Sequence, residues 1–325
     1  MNKLMKFTVV FLTVISVLTS CKKNEITFDA RYSTGMALVQ LHNELPVPAN
    51  VANVADYNFY KVELNGVDLA RGKRVPLNSW SSIPAAVRYY EVNPGTANIK
   101  LYQQVGSDLV LKYDQSVTLK EGKQGLILYD FNKPPIVITE EDNILPYRVT
   151  VDTDTVHYVR FFNLMREKPG EESNLKLQYQ FQYSLHPLYT LDDLAAGKIP
   201  AGKKVGDADP QSSSKKSPWI NLGPPVGFGE NTGWQMVMVK KETYVSQGQG
   251  RVDYRIVVTQ GGVVGVTMTA GDNLLICRNR AATSLTNGFT DYWTSYVGRW
   301  AYHFFSGYRD GGAPGMAIAQ PFFQK

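Results

Sequence analysis

The chain has 325 residues, of which 19% are charged, and its formal net charge is +5. Lys3 and Lys6 lie in a segment that we expect to be removed, and no acidic residue leaves with them, so the mature chain carries +3. A charge this small, without a basic stripe, argues against nucleic acid as a partner. Tyrosine alone accounts for 19 residues, and β-branched residues are plentiful, so the composition favours strands.

The first 21 residues have the layout of a secretory signal. Lys3 and Lys6 precede an apolar run that is too short to span a membrane and ends in Leu18-Thr19-Ser20-Cys21. A cysteine directly after Leu-Thr-Ser is similar to the lipobox of bacterial lipoproteins, whose cysteine is acylated after cleavage. We therefore predict a signal peptide over residues 1–20 and a lipid anchor at Cys21. The alternative is an ordinary cleaved signal with a coincidental cysteine.

Length and composition shifts predict two domains after this signal. Residues 21–35 are polar and would tether the anchor to the first domain, over residues 36–150, and a second domain would cover residues 151–325. Only one cysteine remains besides Cys21, namely Cys277 in an apolar run. We expect it to be buried, and we expect no intrachain disulfide.

Short strands separated by turn residues are predicted along the first half. Residues 37–43 and 58–64 alternate as strands do, and Asn65-Gly66 after the second run is a strong hairpin signal. Further strands are predicted at residues 87–92, 97–103, 109–113, 115–119 and 124–131, and a new series begins at Val156. Short strands at this spacing predict an all-β, antiparallel fold in each half, either a sandwich or a barrel.

The second half echoes the first. Residues 39–43 match residues 159–163, since each is a strand ending in asparagine. Residues 117–128 align without gaps on residues 266–277, so the offset between the copies would grow from 120 to 149. The extra residues are expected in a loop insertion near residues 191–218, which is rich in Gly, Lys, Ser and Asp.

These motifs together resemble DUF4397, a domain that bacterial envelope proteins often carry in tandem. The resemblance rests on the lipobox, the strand ending in Asn43, the Asn93-Pro94-Gly95 step between two strands, and the Val117-Thr118-Leu119 turn that continues to Gly122-Lys123. It implies an immunoglobulin-like sandwich and an exported protein, and it supplies no catalytic residues. The lysines after Cys21 look like those of Bacteroidetes lipoproteins. The resemblance thus implies a location at the cell envelope, in the outer membrane.

A search for chemistry in the sequence finds no catalytic, metal-binding or cofactor-binding pattern. The four histidines, His42, His157, His186 and His303, are dispersed and lack ligand spacing. Acidic pairs occur at residues 140–142, 171–172 and 192–193, but each lies in a polar, loop-like stretch. The sequence therefore predicts a protein that is not an enzyme and needs no cofactor or metal.

One aromatic cluster near the C-terminus is a candidate ligand-binding surface. Aromatic faces stack on sugar rings while neighbouring polar groups hold hydroxyls, so this cluster could bind glycan or a protein partner. The alternative is that the same rings fill the core of a sandwich or the space between domains. The candidate residues are Tyr292, Trp293, Tyr296, Trp300 and Tyr302.

The sequence thus predicts a non-catalytic lipoprotein that binds glycan or an envelope protein at the cell surface. Two other functions stay open. A fimbria-like subunit would assemble by strand addition, with the apolar residues 316–323 as the donor. An envelope glycoside hydrolase would need two carboxylates facing each other across a cleft.

Overall fold

Strands dominate the structure, and this confirms the all-β sandwich prediction. The signal segment, Cys21 and Cys277 fall outside the described part of the chain. Residues 34–325 belong to one compact unit, and the predicted division into two domains near residue 150 stays a prediction. The computed structural model describes residues 33–46, 58–69, 89–143, 155–209, 211–246, 248–260, 291–309 and 315–319.

Eight strands of the first half form two four-stranded sheets, ordered β4-β1-β7-β8 and β3-β2-β5-β6. The Asn-Gly hairpin prediction is confirmed, because Asn65 and Gly66 have φ angles of 52° and 79° and join two paired strands. A 3-10 turn, Glu141–Asn143, follows the last strand. The strands are β1 (Ala37–Asn43), β2 (Phe59–Leu64), β3 (Val67–Asp68), β4 (Tyr90–Val92), β5 (Gly95–Val105), β6 (Asp108–Leu119), β7 (Gly122–Leu128) and β8 (Ile136–Thr139).

The second half repeats this arrangement with additions. One sheet is ordered β14-β9-β18-β19, with β10 also beside β9. The other has β11, β16 and β17 side by side, with β12 and β13 on the free edge of β11 and β15 beside β16. The elements are β9 (Thr155–Lys168), β10 (Glu171–Glu172), β11 (Lys176–Leu185), α1 (Leu191–Ala195), β12 (Lys215–Lys216), β13 (Ile220–Asn221), β14 (Asn231–Val239), a 3-10 turn (Lys241–Thr243), β15 (Tyr244–Ser246), β16 (Gln249–Gln260), β17 (Asp291–Tyr296), β18 (Trp300–Tyr308) and β19 (Gly315–Ala319).

One pair of strands in each half is parallel, which corrects the expectation of purely antiparallel sandwiches. The first strand of each half pairs with a late one, β1 with β7 and β9 with β18. The other paired strands are antiparallel. The same exception at the same place in both halves indicates that they are two copies of one topology.

The echo between residues 39–43 and 159–163 is confirmed by the strand registers. Asn43 lies opposite Leu128 and Asn163 opposite Phe305, and each asparagine side chain accepts a hydrogen bond from the backbone N–H two residues later. The counterpart of β7 is therefore β18, so the offset grows from 120 to 177 residues. Residues 266–277, the counterpart predicted from the sequence, lie outside the described part of the chain.

The two sandwiches have cores of different composition. In the first, a mainly aliphatic cluster from β1, β2, β5, β6 and β7 fills the space between the sheets. In the second, the corresponding cluster contains Phe161, Tyr179, Phe181, Tyr254 and Trp293. Both cores follow from strict alternation along the strands, which turns every second side chain inward.

A third cluster joins the two sandwiches, because strand residues from both halves pack there. Ile127 and Ile138 of the first half contact aromatic residues of the second, and His42 lies 5.5 Å from the ring of Phe304. Buried polar contacts also cross the junction: Arg166 forms an ion pair with Asp130. The halves therefore bury both apolar and charged side chains against each other.

Two ionisable side chains are buried at this junction, His42 of β1 and Glu44 directly after β1. Burial lowers the pKa of His42 to about 3. Burial also raises the pKa of Glu44 well above its usual value, although a hydrogen bond from Ser306 opposes that shift. Both groups are therefore held in their neutral forms over a wide pH range.

Candidate functional site

Two of the five predicted ligand-binding residues lie in the protein interior. Trp293 is 3% exposed and belongs to the core of the second sandwich, and Tyr302 is 0% exposed and belongs to the junction cluster. Trp293 is packed edge-on against His157 and His303. This corrects the sequence-based assignment for these two residues, because protein atoms cover their ring faces. Alternation turns Trp293 inward and its neighbour Tyr292 outward.

Trp300 and Tyr296 are partly buried and have aromatic or cationic neighbours. Trp300 stacks on Trp234 with ring centroids 5.8 Å apart, and it packs against the junction cluster. The guanidinium of Arg299 lies 4.6 Å from the ring centroid of Tyr296. Their predicted roles in ligand binding stay predictions, and these contacts place Trp300 beside the junction.

Tyr292 is 50% exposed and lies on the outer face of the sheet formed by β11, β16 and β17. We call this surface the outer face of the second sandwich. Its side chains are those that alternate with the core residues, and cross-strand pairing sets them in rows. The residues of this face that matter below are Gln180, Gln182, Ser184, Lys216, Trp219, Asn221, Arg251, Asp253, Arg255, Tyr292 and Thr294.

Two aromatic rings stand at opposite sides of the outer face, each beneath a guanidinium. The Arg255 guanidinium lies 4.3 Å from the ring centroid of Trp219, which directly precedes β13. The Arg251 guanidinium lies 4.0 Å from the ring centroid of Tyr292. Each of these two rings is therefore covered on one side by an arginine side chain.

A chain of hydrogen-bonding side chains lies beside Trp219 on this face. Arg255 Nε donates to Gln180 Oε1 at 2.8 Å, and Gln180 Nε2 donates to Asn221 Oδ1 at 2.9 Å. This chain of bonds runs across three strands and fixes the orientation of the Arg255 guanidinium. The outer face thus has amides and guanidinium groups held in place before any ligand arrives, which lowers the entropic cost of binding.

The outer face carries more positive than negative charge. Lys216 and Arg251 both pair with Asp253, whose side chain is 7% exposed, while the two cationic side chains are each 45% exposed. Lys216 Nζ also donates to Ser184 Oγ at 2.6 Å. Two cationic side chains on this face therefore share one buried carboxylate.

Acidic residues singled out from the sequence take part in a helix cap and in an ion pair. Asp193 caps α1 in a capping box with Thr190, and the Thr190 backbone N–H that donates to this carboxylate lowers its pKa. Glu172 pairs with Lys133 at 2.6 Å. Across the described ranges, no three His, Cys, Asp or Glu side chains are grouped as a metal site would require.

His157 is buried in the second core beside Trp293. The backbone N–H of Tyr296 donates to its Nδ1 at 3.0 Å. Burial lowers its pKa to about 4. The ring is therefore neutral near pH 7 and serves the packing around Trp293.

The described helices include none with the length and apolar character needed to cross a membrane. No model of a known protein family matches the chain, and no curated protein matches it. The resemblance to DUF4397 stays a prediction.

Sequence reasoning missed most of the outer face. The available signal was the alternation in residues 177–183, where glutamines at every second position interrupt an otherwise apolar run. Such a pattern predicts a strand with one core face and one polar face. It could not show that Trp219 and the arginines of β16 lie beside those glutamines, because the neighbours come from distant parts of the chain.

Proposed function

We propose that the protein is an exported, non-catalytic lipoprotein that binds glycan on the outer face of the second sandwich. The observation that carries this proposal is a face with two aromatic rings, Trp219 and Tyr292, beside amide and guanidinium groups that are held by hydrogen bonds. Aromatic rings offer apolar contact to sugar rings, and the fixed polar groups beside them match hydroxyls.

Anchoring belongs to the same proposal and rests on the sequence. Acylation of Cys21 would hold the protein at the cell envelope, in the outer membrane, since two or more acyl chains anchor durably. Labelling with a radioactive or clickable fatty acid tests this part separately. We expect label in the wild type and none in Cys21→Ser, and label retained in Cys21→Ser would contradict the anchor.

A glycan array followed by affinity gels tests the binding proposal. We expect at least one polysaccharide to retain the wild type, and we expect Trp219→Ala and Tyr292→Ala each to weaken retention about tenfold. Tyr102→Ala is the matched control, because Tyr102 is a partly exposed ring beneath Lys61 on the outer face of the first sandwich. Binding that is indifferent to Trp219 and Tyr292, or no binding to any polysaccharide, would overturn the proposal.

Strand addition receives no comparable support. Residues 316–319 of the suggested donor lie in β19, which pairs along its length with Tyr302–Ser306 of β18 in the same chain. A donor segment would have to leave this position first. The hydrolase alternative receives no support from these acidic residues, because Asp193 caps α1 and Glu171 and Glu172 each form an ion pair with a lysine.

A further inference from the structure

We infer that the ligand of the outer face is an acidic glycan whose sugar rings carry carboxylates. This inference rests on the proposed function and narrows it to one chemical class. It follows from how the cationic and aromatic side chains of this face are combined.

The first step concerns the two aromatic rings. Each has a guanidinium centred over one ring face, 4.3 Å from the centroid for Trp219 and 4.0 Å for Tyr292. A neutral sugar stacking on that face would have to displace the guanidinium and lose the cation–π contact. A sugar that carries a carboxylate can pair with the guanidinium instead and place its ring beside the aromatic edge.

The second step concerns geometry. A guanidinium presents its donors in a planar fork that matches both oxygens of a carboxylate. Gln180 accepts from Arg255 Nε and is itself bonded to Asn221, so the plane of the fork is set by two neighbouring strands. The outer face therefore presents Arg255 in a fixed orientation.

The third step is a charge comparison with the outer face of the first sandwich. There Lys61 pairs with Glu63, and Lys100 lies 3.8 Å from Asp114, so each of these lysines has its own carboxylate. On the second sandwich, Asp253 serves both Lys216 and Arg251, so two cationic side chains share one carboxylate there. The same topology thus pairs Lys61 and Lys100 with separate carboxylates in one half and sets two cations around one carboxylate in the other.

The test is affinity electrophoresis of the mature chain in gels that contain polygalacturonate or the same polymer with its carboxyls methyl-esterified. We expect the acidic polymer to retard the protein and the esterified polymer to fail, with retardation falling as salt rises towards about 0.5 M. Arg255→Gln should weaken binding about tenfold or more, because a charge-assisted hydrogen bond is lost.

Two further variants separate charge from geometry. Arg255→Lys keeps the charge without the fork, so we expect binding between that of the wild type and that of Arg255→Gln. Lys100→Gln removes a cation from the first sandwich and should change binding less than twofold. Circular dichroism and thermal melts of each variant confirm that the fold is retained.

The outcomes distinguish this inference from the proposed function. Equal retardation by the esterified polymer, still dependent on Trp219, would overturn the acidic ligand and leave glycan binding in place. Equal or stronger retardation by dextran sulfate would overturn carboxylate recognition. Failure of every polysaccharide, neutral or acidic, would overturn both.

Discussion

The two sandwiches share one strand order but differ in their cores and in their outer faces. The first has a largely aliphatic core and an outer face on which Lys61 and Lys100 lie beside separate carboxylates, while the second has an aromatic core and an outer face on which Lys216 and Arg251 share one carboxylate. Strand order depends on the alternation of inward and outward side chains, and the outward ones are free to vary. The comparison teaches that a repeated fold can carry a binding site on one copy alone.

The largest difference in stability is expected between substitutions of the neighbouring residues Trp293 and Tyr292 on β17. Trp293→Ala empties a large core position of the second sandwich and should lower the free energy of unfolding by about 3–5 kcal/mol. Tyr292→Ala removes an outward ring and should cost no more than about 1 kcal/mol. Urea denaturation measures both. Equal costs would contradict the assignment of one ring to the core and the other to the outer face.

A comparable loss of stability is expected from a substitution at the junction between the two halves. Arg166→Met leaves the Asp130 carboxylate buried without its cation, so the free energy of unfolding should fall by about 3–5 kcal/mol. Lys133→Met is the control, because it removes an exposed ion pair with Glu172 and should cost about 1 kcal/mol or less. A cost for Arg166→Met as small as the control would show that the junction contributes little to stability.

A smaller loss of stability is expected when the pH is lowered. The pKa of His42 is lowered to about 3 and that of His157 to about 4, so the unfolded chain binds protons below pH 6.5 that the folded chain does not. Stability should therefore fall as the pH drops from 6.5 towards 4, by about 1–2 kcal/mol for each histidine at pH 5.

Urea denaturation across this pH range measures the loss. His42→Gln and His157→Gln should each flatten the dependence of stability on pH, whatever they do to stability at pH 7. A slope that neither substitution changes would mean that other groups cause the acid sensitivity.

The last effect concerns Glu44. Its pKa is raised rather than lowered, so its contribution to stability depends on pH in the opposite direction. The folded chain keeps this carboxyl protonated while the unfolded chain releases its proton above about pH 4.5, so stability falls as the pH rises. Glu44→Gln removes that cost, and we expect a gain in stability at pH 7 that disappears near pH 4. A gain that is the same at both pH values would contradict the buried neutral carboxyl.

Local patterns in the sequence predict much of the fold. Alternation and the Asn-Gly turn place β1, β2 and the hairpin to β3 correctly, because these signals act within a few residues. The echo ending in Asn43 and Asn163 also identifies equivalent strands. The parallel pairing of β1 with β7 is not visible in the sequence, since it depends on contacts between segments far apart in the chain.

The candidate site is less accessible to sequence reasoning. Residues 292–302 are dense in aromatics, but density does not show which rings point outward, and the answer alternates along β17. Trp219 comes from another segment, and only the register that sets Gln180 opposite both Arg255 and Asn221 brings that segment to the same face. The sequence therefore indicates the kind of residue involved but not its neighbours.

The most direct test of the account is a hydrogen–deuterium exchange footprint of the mature chain with and without polygalacturonate. The account predicts added protection in peptides from β11, β16 and β17, and unchanged exchange in β2, β5 and β6 of the first sandwich. Protection confined to the first sandwich, or spread evenly over both, would contradict the claim that the second outer face alone binds the ligand.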